Sequence, residues 1–204
     1  MSNRTIYIID DDDAVRDSLC DLLNVRFSQP IACFASGRAF LDRADDLDPG
    51  VLLLDYHMPD VSGLEVLRAV ERDKFMTIML TGNGSIELAM SVMRAGAADF
   101  LEKPYEPTTL LTAVEASLEK LGKARAALSR EQAAQARVER LSERERAVLD
   151  GLIKGYSNKI IAHQLEISPR TVEIHRARMM DKLEVRSLSE ALRVSFAAGM
   201  IPLD

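Results

Sequence analysis

Two short apolar runs, TIYIID at 5–10 and VLLLD at 51–55, each end in aspartate. VLLL is continuous rather than alternating, the pattern of a strand buried on both faces of a parallel sheet. Further short runs at 31–34, 77–80 and 99–101 repeat the theme. Amphipathic stretches lie between them, at 14–26 (Val15, Leu19, Leu22), 37–44 (Phe40, Leu41), 63–71 (Leu64, Leu67, Val70) and 86–95 (Ile86, Met90, Met93). Ser36, Ser62 and Ser85 are predicted N-caps of the last three. Five such units predict a doubly wound α/β domain, whose ligand site lies beyond the C-terminal strand ends. The acids fall there.

From Pro107 a fifth helix is predicted to run on, because between Leu110 and Leu149 the only Gly or Pro is Gly122. Leu110, Leu111, Val114 and Leu118 pack on the sheet in this reading. Past residue 121 the helix is either a solvated linker or a short coiled coil between two chains. From 141 onward the pattern is short helices. Ser142 with Glu145 makes a capping box, Ser157 starts a second helix, and Ser168 followed by Pro169 starts a third. A last helix covers 188–198 and ends at Gly199. The second and third helices, joined by a turn carrying Ile167, have helix-turn-helix spacing.

The chain of 204 residues, 47% hydrophobic and 28% charged, is long enough for one or two domains with a real core. It has no run of eighteen apolar residues and no signal-peptide pattern, so a cytoplasmic protein without a membrane span is expected. Cys20 and Cys33 have no metal-ligand spacing and are expected to be isolated, buried, reduced thiols. Charge is asymmetric: residues 1–125 carry 13 Lys+Arg against 21 Asp+Glu, and residues 126–204 carry 13 against 11. Within 154–186, seven basic residues face four acids, a modest basic patch suited to phosphate.

Asp10, Asp11 and Asp55 repel one another at adjoining strand ends unless a divalent cation neutralises them. Mg²⁺, which takes a few carboxylates and keeps waters, is the predicted cofactor. It would let Asp55 approach an anionic phosphorus. Thr81, closing the fourth strand, is placed to donate to one phosphoryl oxygen, and Lys103, closing the fifth, to pair with another.

The segments IIDDDDAVRDSL, LLLDYHMPDVSGLEVL and IMLTGNGSIELAMSVMRAGAADFLEKPY together resemble the receiver domain of bacterial two-component response regulators. The resemblance implies a flavodoxin-like sheet of order 2-1-3-4-5, with Asp55 as phospho-acceptor and Asp10 and Asp11 as metal carriers. It adds the main-chain carbonyl of His57 as a ligand, a cis bond before Pro104, and Phe100 as a switch aromatic beside Thr81 and Lys103. The His57 side chain departs from the more usual residues there and is read as tuning access or dephosphorylation. Asp12 and Asp13 either enlarge the acid cluster or complement the helix dipole.

On a helical wheel centred on Val172, Met179 and Leu183 form the packed stripe, and Arg170, Ile174, Ala177, Arg178 and Asp181 lie opposite. Exposed Ile and Ala among charges suit a major groove, where apolar side chains meet thymine methyls and Arg meets guanine or phosphate. Arg176 sits beside the packed stripe and is expected on phosphate. The run from LSERERAVLDGL to VRSLSEALR is similar to the four-helix LuxR-type DNA-binding domain, so the whole chain resembles regulators of the FixJ/NarL type. That implies DNA contacts from Lys159, Arg170, Thr171, Glu173, Ile174, Arg176 and Arg178, with the terminal helix serving dimerisation on DNA.

The expected organisation is a receiver over 4–120, a helical linker over 121–138 and an all-α helix-turn-helix domain over 139–202. The expected function is a phosphorylation-activated transcriptional regulator. Its expected partners are a sensor histidine kinase, double-stranded promoter DNA, a second copy of the chain on phosphorylation, and RNA polymerase. It would be no enzyme beyond its own phosphoryl transfer and slow dephosphorylation. The rivals are an Asp-nucleophile phosphohydrolase, for which no substrate pocket is evident, and a regulator that binds DNA without phosphorylation.

Overall fold

The structure, a computed structural model, describes residues 4–200, so positions 201 and 202 at the predicted end of the second domain lie outside the described residues. The chain divides into two compact units, residues 1–125 and 126–204.

In the first unit, β1 (Thr5–Ile9), β2 (Ile31–Phe34), β3 (Gly50–Asp55), β4 (Phe75–Thr81) and β5 (Asp99–Glu102) form one parallel sheet of order β2-β1-β3-β4-β5. Between them run α1 (Asp13–Arg26), α2 (Gly37–Leu41), α3 (Gly63–Ala69) and α4 (Ile86–Arg94), and α5 (Pro107–Glu139) follows β5. The continuous apolar strands are explained by two cores, one on each face. Tyr7, Ile9, Leu52 and Leu54 point to the side covered by Phe40 of α2, Val66 and Leu67 of α3, and Val92 of α4. Ile6, Ile8, Val51 and Leu53 point to the side covered by Leu19 and Leu23 of α1 and by Leu110, Val114 and Leu118 of α5. Period-two alternation thus makes every residue of VLLL a core residue.

The predicted caps form. Ser36, Ser62 and Ser85 each accept from a backbone N–H of their helix, and Ser62 closes a capping box with Glu65. Helix α2 stops at Leu41, shorter than the predicted 37–44.

Cys20 and Cys33 correct the sequence reading. Cys20 is half-buried, Cys33 is exposed, and they are neighbours rather than isolated. The reason is topological: β2 is an edge strand, flanked only by β1, so its outer residues are left uncovered while α1 packs beside it.

In the second unit, the end of α5 is followed by α6 (Glu143–Ile153), α7 (Asn158–Leu165), α8 (Pro169–Leu183) and α9 (Leu188–Ala197). Val138, Val148, Leu149, Ile161, Val172, Met179, Leu183 and Ala191 make their common core. Capping follows the sequence for the Ser142–Glu145 box and the N-caps at Ser157 and Ser168, and Ser187 caps α9 in addition. The turn between α7 and α8 passes through Glu166 in the left-handed conformation (φ 55°), whose N–H closes α7 on carbonyls of Ala162 and His163. Ile167 then drops into the core.

Candidate functional site

In a sheet of this order the chain leaves β1 in one direction, to β2, and then returns to the other side for β3. The C-terminal ends of β1 and β3 therefore border an open crevice, the switch point where open α/β sheets bind ligands. Register puts Ile9 beside Leu54, so Asp10 and Asp55 emerge next to each other. Thr81 ends β4 and Lys103 follows β5 on the same edge.

Lys103 holds the group together. Its ammonium donates to Asp10 Oδ2 at 2.8 Å and to Asp55 Oδ1 at 2.7 Å. The second oxygen of Asp55 accepts from the backbone N–H of His57 at 2.7 Å, and Asp10 Oδ1 accepts from the N–H of Asp12 at 3.0 Å. Asp10 and Asp55 are only 2% and 6% exposed. Burial raises the Asp55 carboxyl above its ordinary range; Lys103 opposes this and Asp10 reinforces it. Burial lowers Lys103, but its hydrogen bonds to the two carboxylates outweigh that and leave it raised. Two carboxylates sharing one ammonium remain one positive charge short.

Asp11 is exposed at the mouth of the crevice. Among the described residues no three His, Cys, Asp or Glu side chains form a metal centre by themselves. A cation that keeps most of its waters needs only one or two carboxylates, so the hard oxygens of Asp10 and Asp55 fit Mg²⁺, while exposed Asp11 is not gathered with them into a three-carboxylate group. The His57 side chain is exposed, with its ring edge-on to Tyr56 at 4.8 Å.

Thr81 is fully buried and its hydroxyl is turned to the loop before α4, accepting from the N–H of Asn83 at 3.2 Å. Phe100 is half-buried against the α2–α4 face of the sheet. The bond between Lys103 and Pro104 is cis.

Asp12, placed by the sequence either in the acid cluster or at the helix N-terminus, is the N-cap of α1, accepting from the backbone N–H groups of Ala14 and Val15. Several supporting residues escaped the sequence reading. Arg16 donates to the Asp10 carbonyl at 2.7 Å and pairs with Asp13. Glu102 accepts from Gly84 N–H at 3.1 Å, tying the loop before α4 to β5. Gly63 lies so close to β3 that a Cβ would collide with the Asp55 carbonyl oxygen.

In α8 the wheel holds. Val172, Met179 and Leu183 are buried, and Arg170, Glu173, Ile174, Ala177 and Arg178 are exposed. Ile174 is 47% exposed. Lys159 is exposed on α7, and Thr171 is half-buried, its hydroxyl against Ser168. Arg176 is half-buried and donates to Asn158 Oδ1 at 3.4 Å, in keeping with its place beside the packed stripe. Ile160 of α7, absent from the predicted set, is another exposed apolar side chain in the motif.

Residues 6–115 match the response regulator receiver domain, and residues 139–195 match the luxR family of bacterial regulatory proteins. The chain belongs to the response-regulator family. This response regulator is 42% identical to the transcriptional regulatory protein FixJ of Rhizobium meliloti, over 99% of this chain and 100% of that one. The full-length FixJ structure from B. japonicum is 40% identical, covers 99% of this chain and 100% of its own, and superposes with a TM-score of 0.59. The response regulator StyR is 33% identical over 95% of this chain and 98% of its own, with a TM-score of 0.85. The chain is thus a transcriptional response regulator, a receiver joined to a LuxR-type DNA-binding domain. Among the described residues no helix is long and apolar enough to cross a membrane.

Proposed function

We propose that Asp55 accepts a phosphoryl group from a sensor histidine kinase, and that this drives pairing of two chains and binding of promoter DNA. The observation that carries this reading is Lys103 bridging Asp10 and Asp55 at adjoining strand ends, two buried carboxylates with a single cation. Mg²⁺ held by Asp10, Asp11, Asp55 and the His57 carbonyl would supply the missing positive charge and stabilise charge on the phosphoryl oxygens in transfer.

An Asp55 carboxylate oxygen attacks phosphorus, the bond to the donor imidazole nitrogen breaks, and that nitrogen leaves with the electron pair. Lys103 then exchanges its Asp55 oxygen for a phosphoryl oxygen. The Thr81 hydroxyl turns to the new anion and gives up Asn83, which frees the loop that Glu102 holds at Gly84. Phe100 follows into the space behind Thr81. Helix α4 begins just after that loop and exposes Ile86 (79%), Met90 and Met93, an apolar surface suited to a second copy. An apolar groove beside Lys103, lined by Val15, Leu22, Pro104, Tyr105 and Pro107, suits a helix of the kinase.

Helix α8 enters the major groove, with Ile174 on thymine methyls, Arg170 and Arg178 on bases or phosphate, and Thr171, Glu173, Arg176 and Lys159 completing the contact. Two copies on paired half-sites give the affinity that a small net charge cannot. RNA polymerase is the onward partner and the cytoplasm the compartment.

The test treats the full chain with Mg²⁺ and a small phosphoryl donor, then with beryllofluoride. The wild type gains an acid-stable, base-labile adduct, self-associates and tightens on DNA selected from a random pool, whereas Asp55→Asn keeps its fold and does none of these. Equal adduct or equal DNA affinity in Asp55→Asn overturns the reading.

A further inference from the structure

The chain has two cysteines. Cys20 on α1 and Cys33 on β2 bring their sulfurs to 2.8 Å. Both are free thiols, so this is contact between two reduced side chains, less than about 1 Å of movement from a covalent bond of about 2.05 Å. The pair lies on separate elements, with Cys33 exposed on the edge strand and Cys20 half-buried behind it. A reagent therefore meets Cys33 first. Burial, the Cys33 thiol and the carboxylates of Asp17 and Asp21 push the Cys20 thiol up to about 12, so Cys20 is the less reactive thiol of the pair.

We propose that Cys20 and Cys33 form a dithiol site that closes to an intramolecular disulfide by exchange with small, uncharged disulfides. The Cys33 thiolate attacks one sulfur of the small disulfide, an S–S bond forms, and the first small thiolate leaves and takes up the proton given up by Cys33. Cys20 then loses its proton and attacks Cys33 Sγ, expelling the second small thiol, which takes that proton. Two protein thiols become one disulfide and one small disulfide becomes two thiols, so atoms and electrons balance. Contact between the sulfurs makes the second step effectively unimolecular and favours it over release of a stable adduct. Uncharged disulfides are specified because Asp17 and Asp21 repel anionic ones.

The bridge ties α1 to the edge of the sheet. The same helix carries Arg16, and Asp12 caps it; both bond Asp10, so the site reaches the framework of the acid cluster without using any of its residues.

The test incubates the reduced full chain with bis(2-hydroxyethyl) disulfide and reads intact mass, free thiols and a non-reducing gel. The expected product is a single chain lighter by two hydrogens, with both thiols lost together, no retained probe, and full reversal by dithiothreitol. Cys20→Ser is expected to stop at a mixed disulfide on Cys33, and Cys33→Ser to leave Cys20 unreacted over the same period. Two probe adducts on the wild type, disulfide-linked dimers, or two unreacted thiols would each overturn the proposal.

Discussion

Asp55 in the receiver and Glu145 in the DNA-binding unit are both buried carboxylates, and they are treated in opposite ways. Glu145 accepts from the Lys182 ammonium at 2.6 Å and from the backbone N–H of Ser142 at 2.8 Å. Burial raises it, but those hydrogen bonds outweigh burial and bring it from 4.5 down to about 2. Asp55 shares its lysine with a second carboxylate and ends up raised instead. A carboxylate with a lysine of its own is a structural tie. One that must share is left short of positive charge, which is the physical difference between the Glu145 cap and the site proposed to accept phosphoryl.

Removing the shared lysine should break that comparison most sharply. Lys103→Ala leaves Asp10 and Asp55 buried and facing each other, and unpaired buried charges cost about 3–5 kcal/mol. Because the Lys103 side chain keeps 27% of its surface in water, a loss of about 2–4 kcal/mol in urea unfolding is expected. Millimolar Mg²⁺ should restore a larger share of stability in this variant than in wild type. Equal Mg²⁺ effects in the two would remove the case for a cation deficit.

Glu145→Gln comes next, at about 1–2 kcal/mol, since one member of a partly exposed ion pair is lost while the cap geometry survives. The pH dependence has a definite sign. A carboxyl whose folded value is lowered contributes stability above its unfolded value, near 4.5, and loses it as pH falls toward about 2. Protection factors of the amides of α6 and α8, exchange corrected for its intrinsic pH dependence, should therefore fall between those limits in wild type and show a flatter response in Glu145→Gln.

These two sites also show what the sequence could and could not convey. Asp10, Asp55, Thr81 and Lys103 were legible as strand-end residues because parallel strands bury continuous apolar runs and register brings their ends together. The capping serines, the Ser142–Glu145 box and the packed stripe of α8 were legible from local spacing. What escaped was contact between different elements: Lys182 on Glu145 and Cys20 on Cys33, and the reach of Arg16 in α1 back to the Asp10 carbonyl at the end of β1. None has a periodic signature. The edge position of β2 left Cys33 exposed, and a short apolar run carries no mark of being at an edge.

Ile174 tests the outward-facing counterpart of the acid pocket. As an exposed side chain it should contribute within about 0.5 kcal/mol to folding, so Ile174→Ala should leave the melting midpoint unchanged. If it meets a thymine methyl, the same change should weaken binding to selected DNA by about 1–2 kcal/mol, and only on sequences with that thymine. Arg176→Ala should instead weaken all sequences alike and lower the salt slope by about one. A base-specific effect at Arg176 would reverse the assignment.

The smallest effect belongs to an ion pair that, like that of Lys103, has one nitrogen shared between two carboxylate oxygens. Arg26 on α1 donates through one Nη to both oxygens of Glu115 on α5, at 2.9 and 3.1 Å. Both side chains are about half exposed, at 53% and 52%. Water screens such a pair, and ordering two long side chains offsets most of the attraction, so exposed pairs contribute about 0.2–1 kcal/mol. Arg26→Ala should cost no more than about 0.5 kcal/mol, and less again in high salt. Phosphoryl uptake by Asp55 should not change. Glu115 is left in water with its hydration restored, whereas the carboxylates left by Lys103→Ala have nowhere to turn. If Arg26→Ala proved as costly as Lys103→Ala, burial would not be what separates the two pairs, and the cation deficit at Asp55 would lose its physical basis.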